Sequence, residues 1–344
     1  MQIYKYVIKI SKFVDMKKYI FLFILVISLF SACETEFNVN ADWKEVIVVY
    51  GLLDQSQDKQ YIRINKAFLG NEDAFVMASV ADSINYNPNN LEVKIEKVST
   101  SGNVVDTKIL TDTIMFKEDG LFSVEENIIY VFDTDNFLNE EKEYKLTITN
   151  KISGNIISSQ TKLIYNLTFI TTFNHPFGFI SNATGDSSYY SSKTISWNHS
   201  KNAAIYQMTL IVNYTEESNG IVTSKQVEKV YPLIDGDGSN LSQKITGEDL
   251  FNLLASIEAS STVTRRVNDL DLLFSVGMSD LNTYIYLNEP PTGIVQERDL
   301  YTNIYGGIGL FSARNSTRKE NIDIATDTKQ AIADSLQHLN FIYP

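Results

Sequence analysis

One cysteine in 344 residues excludes any internal disulfide and any zinc site built on paired thiolates. The three histidines, His175, His199 and His338, lie too far apart for a helical metal pair, and no His-Glu-x-x-His occurs. With only six prolines and one cysteine, the collagen-like and disulfide-stapled classes fall away. There is no Walker loop and no Gly-x-Ser-x-Gly elbow, and Gly306-Gly307-Ile308-Gly309 lacks the spacing and following helix of a dinucleotide fingerprint. Ser-x-x-Lys occurs at Ser56/Lys59 and Ser159/Lys162 without companion motifs, which reads as coincidence. No cofactor is expected. Positive charge is also scarce: the net charge is −13, a balance that repels phosphate backbones and argues against nucleic acid.

What is present begins with that single thiol. From Met16 the order is Lys17 and Lys18, an apolar run from Tyr19 to Phe30, the small residues Ser31 and Ala32, and then Cys33. This is the layout of a secretory leader ending at a cysteine to be lipidated, and the run is shorter than the roughly eighteen residues that span a bilayer. Residues 1–32 are therefore expected to be a signal peptide with its true start at Met16, and Cys33 the lipidation site. Phe30 departs from the Leu usual three places before such a cysteine. Several acyl chains on one cysteine anchor durably, because each buried methylene is worth about 0.8 kcal/mol. Removing residues 1–32 takes five Lys and one Asp from 29 basic and 42 acidic residues, leaving 24 and 41 and a net charge of −17. The expected location is the cell envelope, with the membrane reached through the lipid. Glu34 and Glu36 are split by Thr35, so the periplasmic and surface faces both stay open.

Residues 33–44 read as a lipidated polar tether. Beyond them, abundant Ile, Val, Thr, Tyr and Phe broken by Asn, Asp, Ser and Gly predict strands and turns. Strands are expected at Val46–Leu53, Tyr61–Leu69, Leu91–Val98, Val104–Leu110, Ile128–Phe132, Tyr144–Thr149 and Ile156–Ile164, with Leu91, Val93 and Ile95 on one face. Their density predicts an N-terminal β-sandwich over 45–165. Leu138 followed six residues later by Tyr144, then Leu146 and Ile148, is similar to the tyrosine corner of immunoglobulin-like and fibronectin type III domains.

Residues 166–344 are expected to form a fibronectin type III-like β domain with helices near 247–259 and 327–339. Thr194–Trp197 and Tyr206–Val212 read as its early strands, and Trp197, inside an alternating strand, reads as core rather than a sugar platform. Thr246-Gly247-Glu248-Asp249 is a capping-box start. Leu272–Val276, Thr283–Leu287 and Ile304–Phe311 read as strands, with Gly306, Gly307 and Gly309 admitting a turn, bulge or close packing.

Candidate ligand-binding residues are Tyr189 and Tyr190, adjacent in the polar stretch 181–194. They would either stack on sugar rings or mark a hairpin tip with one ring packed down. Asp235 and Asp237 open a run resembling a calcium loop, but Asn240 and Thr246 replace its glycine and bidentate Glu, which favours a plain turn and no metal. No catalytic residue is assigned. Paired loop carboxylates leave no local signature, so an envelope hydrolase acting on glycan or peptide remains the rival to a non-catalytic binding or scaffolding module.

The lipidated cysteine, Val48-Val49-Tyr50-Gly51-Leu52-Leu53, Tyr61-Ile62-Arg63-Ile64-Asn65-Lys66-Ala67-Phe68-Leu69 and the late Gly-Gly-Ile-Gly-Leu-Phe-Ser together resemble uncharacterised surface or outer-membrane lipoproteins of Bacteroidetes. The resemblance implies two β-sandwich domains on an outer-membrane anchor, accessory to a nutrient importer or surface assembly. A glycan, peptide or envelope protein would be the partner.

Overall fold

The computed structural model describes residues 46–67, 80–115, 127–182, 188–236, 238, 240–288 and 301–343. Residues 45–344 form one compact unit, mostly β and built from several sheets. Cys33 and the tether lie outside the described residues.

The first part of the chain supplies β1 (Val46–Asp54), β2 (Lys59–Ala67), a single helical turn α1 (Ala81–Ile84), β3 (Leu91–Val98), β4 (Val104–Ile109), β5 (Thr111–Ile114), β6 (Ile128–Asp133), β7 (Glu143–Asn150) and β8 (Ile156–Lys162). Period-two alternation sets their faces: Leu91, Val93 and Ile95 of β3 and Tyr144, Leu146 and Ile148 of β7 point inward, as do Ile47, Val49 and Leu53 of β1. The sheet β4-β3-β7-β8 shares this core with β1, β2 and β6 of a second sheet. At one corner the buried phenol of Tyr144 donates to the Phe137 carbonyl at 3.1 Å and accepts the Asn139 N–H. A buried carbonyl and a part-buried N–H of the turn are thereby satisfied.

The second part supplies β9 (Ile180–Asn182), β10 (Ser188–Tyr190), β11 (Ser192–Asn198), β12 (Ile205–Ser218), β13 (Ile221–Val230), β14 (Ile234–Asp235), β15 (Asn240–Thr246), α2 (Gly247–Ala255), β16 (Thr264–Gly277), α3 (Ser279–Asn288), β17 (Gly307–Asp323) and α4 (Thr326–Ser335). Trp197 is fully buried, 5.2 Å from the Phe274 ring and 5.8 Å from that of Tyr206. Tyr206 repeats the device of Tyr144, its phenol accepting the Ser200 N–H at 2.7 Å. Helix α2 starts on the capping box read from sequence: Thr246 accepts from the Asp249 N–H, Asp249 returns to the Thr246 N–H, and Leu250, Phe251 and Leu254 enter the core.

The two cores meet along one strand. The long sheet runs β13-β12-β16-β17-β1-β2-β6-β5, and β17 is its hinge point in sequence terms: Gly307–Arg314 pairs parallel with β1, while Arg314–Asp323 pairs antiparallel with β16. Gly309 sits opposite Val49 with φ +117°, and a Cβ there would overlap the Val49 carbonyl oxygen, so only glycine allows this approach. On the other half, Asp271 lies at a register shift and accepts from Arg318 and, at 2.9 Å, from the Asn321 N–H. Where β1 ends, buried Asp54 accepts from Ser56, Arg314 and Ser316, tying β1 to β17.

One expected strand is corrected. Thr283–Leu287 belongs to helix α3, although Thr, Tyr and Ile favour strands. The Thr283 hydroxyl donates to the Ser279 carbonyl at 3.0 Å, and Asn282 N–H to Met278, so local bonds and packing against β1 and β17 override propensity. Strands β5, β13 and β15 lie where none was expected, and β17 extends well past Phe311. Among the described residues no helix is long and apolar enough to cross a membrane.

Candidate functional site

The outward face of β1 and β2 builds a cleft. Because Ile47, Val49, Ile62 and Ile64 take the core side, Val48, Tyr50, Arg63 and Asn65 take the other. The register places Tyr50 opposite Arg63 and Val48 opposite Asn65, so the four form one patch. Ile84 of α1 closes one side and Tyr284 of α3 stands over the other, around a volume of about 570 Å³. Tyr50 and Tyr284 meet edge to face, 5.9 Å between centroids at 71°.

Hydrogen bonds fix the polar groups. Asn65 donates to the Ile84 carbonyl at 3.1 Å and to Asn85 Oδ1 at 3.0 Å, which turns its own Oδ1 toward Arg63 Nε at 2.7 Å. Lys66 donates to the Asp82 carbonyl at 2.9 Å and lies 5.4 Å from the Tyr86 ring centroid. Burial, together with the hydrogen bond and charge of Tyr50, pushes the Tyr284 phenol up to about 12, so it stays neutral at physiological pH.

A second cleft of about 680 Å³ lies on the other side of α3, against β7 and β8, lined by Lys145, Ser159, Gln160, Asp280, Asn303 and Tyr305 among others. Asp280 accepts from Tyr301 at 2.7 Å and from Asn303 at 3.3 Å, and burial plus this bond raises the Tyr301 phenol to about 12. Asp280 is the one carboxylate lining it among the described residues. Acid catalysis on glycosides needs two carboxyl groups about 5–9.5 Å apart. The carboxylates with shifted titration are elsewhere. Burial pushes Asp249 and Asp271 up, but Lys229 and Thr246 at the first, and Arg318 and Asn321 at the second, outweigh it and hold both below the usual carboxylate range.

The candidates read from sequence fall apart in space. Tyr190 packs its ring 5.1 Å from Phe251 and remains 55% exposed on the β9/β10 hairpin, and the Tyr189 side chain is outside the described residues. Asp235 is an exposed residue of β14, while Asp237 lies outside the described residues. None of these lines either cleft. His175 and His338 are exposed, and His199 Nδ1 lies 3.4 Å from the Tyr206 phenol. Among the described residues no group of three or more His, Cys, Asp or Glu is placed to hold a metal ion. The residues sequence reasoning passed over are Tyr50, Arg63, Asn65, Lys66 and Tyr284. Period-two alternation on β2, with Arg63 and Asn65 set against the core-facing Ile62 and Ile64, was the available signal for its outward face, whereas nothing local ties Tyr50 or Tyr284 to the group.

No protein-family model matches the chain. No curated protein matches it. Among solved structures, a DUF4785 family protein from Legionella pneumophila is similar at 12% identity over 64% of this chain and 49% of that one, with a TM-score of 0.18. A cytokine receptor complex matches at 7% identity over 81% of this chain and 99% of that one, TM-score 0.22. Trypsin-activated alpha-2-macroglobulin from Escherichia coli matches at 9% identity over 69% of this chain and 15% of that one, TM-score 0.18.

Proposed function

We propose that the chain is an envelope lipoprotein, anchored through acyl chains on Cys33, whose two cores are immunoglobulin- or fibronectin type III-like sandwiches and whose work is to bind rather than to catalyse. The corner bonds of Tyr144 and the buried Trp197 support the sandwich reading. The leader, the acidic body and the resemblance to Bacteroidetes lipoproteins support the outer membrane, where such a module would serve a nutrient importer or surface assembly.

The observation that carries the binding reading is the contrast in how charge is used. The perturbed carboxylates Asp249 and Asp271 are consumed by a helix cap and a sheet bulge, whereas Arg63, fixed by Asn65 and flanked by two tyrosines, faces a ligand-sized cleft without a carboxylate partner among the described residues. Two measurements test it on the protein made in its natural host. Intact mass of the purified protein should show a chain that begins at Cys33 and carries acyl chains, and purified wild type should leave glycan and peptide panels uncut. A retained leader or a bare Cys33 thiol would remove the anchor, and turnover of any panel member would replace the binding reading with the hydrolase one.

A further inference from the structure

We propose that the cleft between Tyr50, Arg63 and Tyr284 binds a carboxylated sugar, a uronate unit of an acidic glycan. This rests on the binding-module reading and adds the chemistry of the ligand.

The first support is charge. Arg265, Arg266, Arg314 and Arg318 each pair with a carboxylate, Glu216, Glu217, Asp54 and Asp271 respectively. Arg63 is the exception among the described arginines, and Lys66 beside it forms no ion pair with a described residue either. In a chain of net charge −13, acids are plentiful, yet the described walls of this cleft contain none. Two cations that pair with no described carboxylate line the cleft and favour an anion there.

The second support is geometry. The Arg63 Nε is committed to Asn65, itself pinned by α1 and Asn85, so the guanidinium plane is set while its terminal nitrogens meet no acceptor among the described residues. A fixed guanidinium fork matches one planar carboxylate through two parallel bonds. A phosphate dianion is usually met by backbone N–H groups at a helix start or Gly-rich nest, and β1 and β2 spend theirs on the sheet ladder.

The third support is the wall beside the cation. Tyr50, 40% exposed, and Tyr284 stand edge to face, which offers an aromatic surface to the C–H side of a sugar ring. A volume of about 570 Å³ is the size of a small-molecule site, which typically spans about 300–1,000 Å³.

Calorimetric titration of the full lipidated chain in detergent with trigalacturonate, a glucuronate trisaccharide and a mannuronate trisaccharide tests this, with galactotriose and inorganic phosphate as controls. At least one uronate should bind more than about tenfold tighter than galactotriose and phosphate, and more weakly as salt rises. Arg63→Gln should weaken it by about tenfold or more with an unchanged urea midpoint, and Arg63→Lys, which keeps charge but loses the fork, should fall between. The proposal is overturned if all three uronates bind more weakly than about 1 mM, if galactotriose or phosphate binds as well, or if both Arg63 variants keep wild-type affinity. Chromatography of the recovered trisaccharide separates the two readings: cleavage would overturn the non-catalytic reading and leave the site, whereas intact but unbound sugar would overturn the site and leave the module.

Discussion

The two halves of β17 solve the same problem differently. Its first half lies parallel to β1 because Gly307 and Gly309 carry no side chain where the Ile47 and Val49 carbonyls come close. Its second half lies antiparallel to β16, where the buried Asp271 carboxylate satisfies Arg318 and the N–H of left-handed Asn321 across a bulge. Along its length the parallel half depends on the absence of atoms, with Asp54 pinning its end, and the antiparallel half depends on a polar network. The lesson is functional as well, because the cleft takes Tyr50 and Arg63 from strands of the first core and Tyr284 from the helix that follows β16. The cleft therefore draws its lining from strands on one side of β17 and from the helix after β16.

The sharpest way to break the parallel half is Gly309→Val. It forces a branched side chain onto the Val49 carbonyl at a φ of +117°, and a loss of more than about 4 kcal/mol is expected from the shift in urea midpoint. Gly102→Ala, also at positive φ but with nothing within 4 Å, should lose only about 1 kcal/mol, which separates collision from backbone strain. On the other side of the comparison, Trp197→Ala should cost about 3–5 kcal/mol by opening a cavity between Phe274 and Tyr206.

Asp271→Asn tests the antiparallel half, with an expected loss of about 2 kcal/mol as the Arg318 pair is broken at a site where the arginine is partly solvated. The same residue sets a pH signature. Asp249 and Asp271 have folded pKa values below their unfolded value of about 3.9, so the stability they contribute is present above about pH 4 and lost as pH falls through the folded values. Thermal melts should therefore decline below about pH 4, and Asp271→Asn should flatten that decline. A further small effect compares the two corners: Tyr144→Phe removes the partner of a buried carbonyl and of a part-buried N–H and should cost about 1–2 kcal/mol, more than Tyr206→Phe, which orphans the Ser200 N–H alone among main-chain groups.

The same contrast explains what could be read in advance. Strands β3 and β7 were legible because Leu91, Val93, Ile95 and Tyr144, Leu146, Ile148 alternate, and α2 because Thr246 and Asp249 form its cap within four residues. These are local patterns with local causes. The glycines at 306–309 signalled close approach without saying to what, since the partner is β1 at the other end of the chain. Helix α3 is not legible locally, because Thr283–Leu287 carries strand-favouring side chains and its helical state depends on Ser279 and on neighbours distant in sequence. The cleft is hidden for the same reason: Tyr189 and Tyr190 are adjacent in sequence, while Tyr50 and Tyr284 are adjacent only in space.

Native-state hydrogen exchange across a urea series most directly tests whether β17 makes the two cores one body. The slowest amides of β3 and β7 and those of β12 and β16 should converge on the same opening free energy and the same urea dependence, the signature of one cooperative unit. Two separate limits, with one core exchanging while the other stays protected, would contradict it.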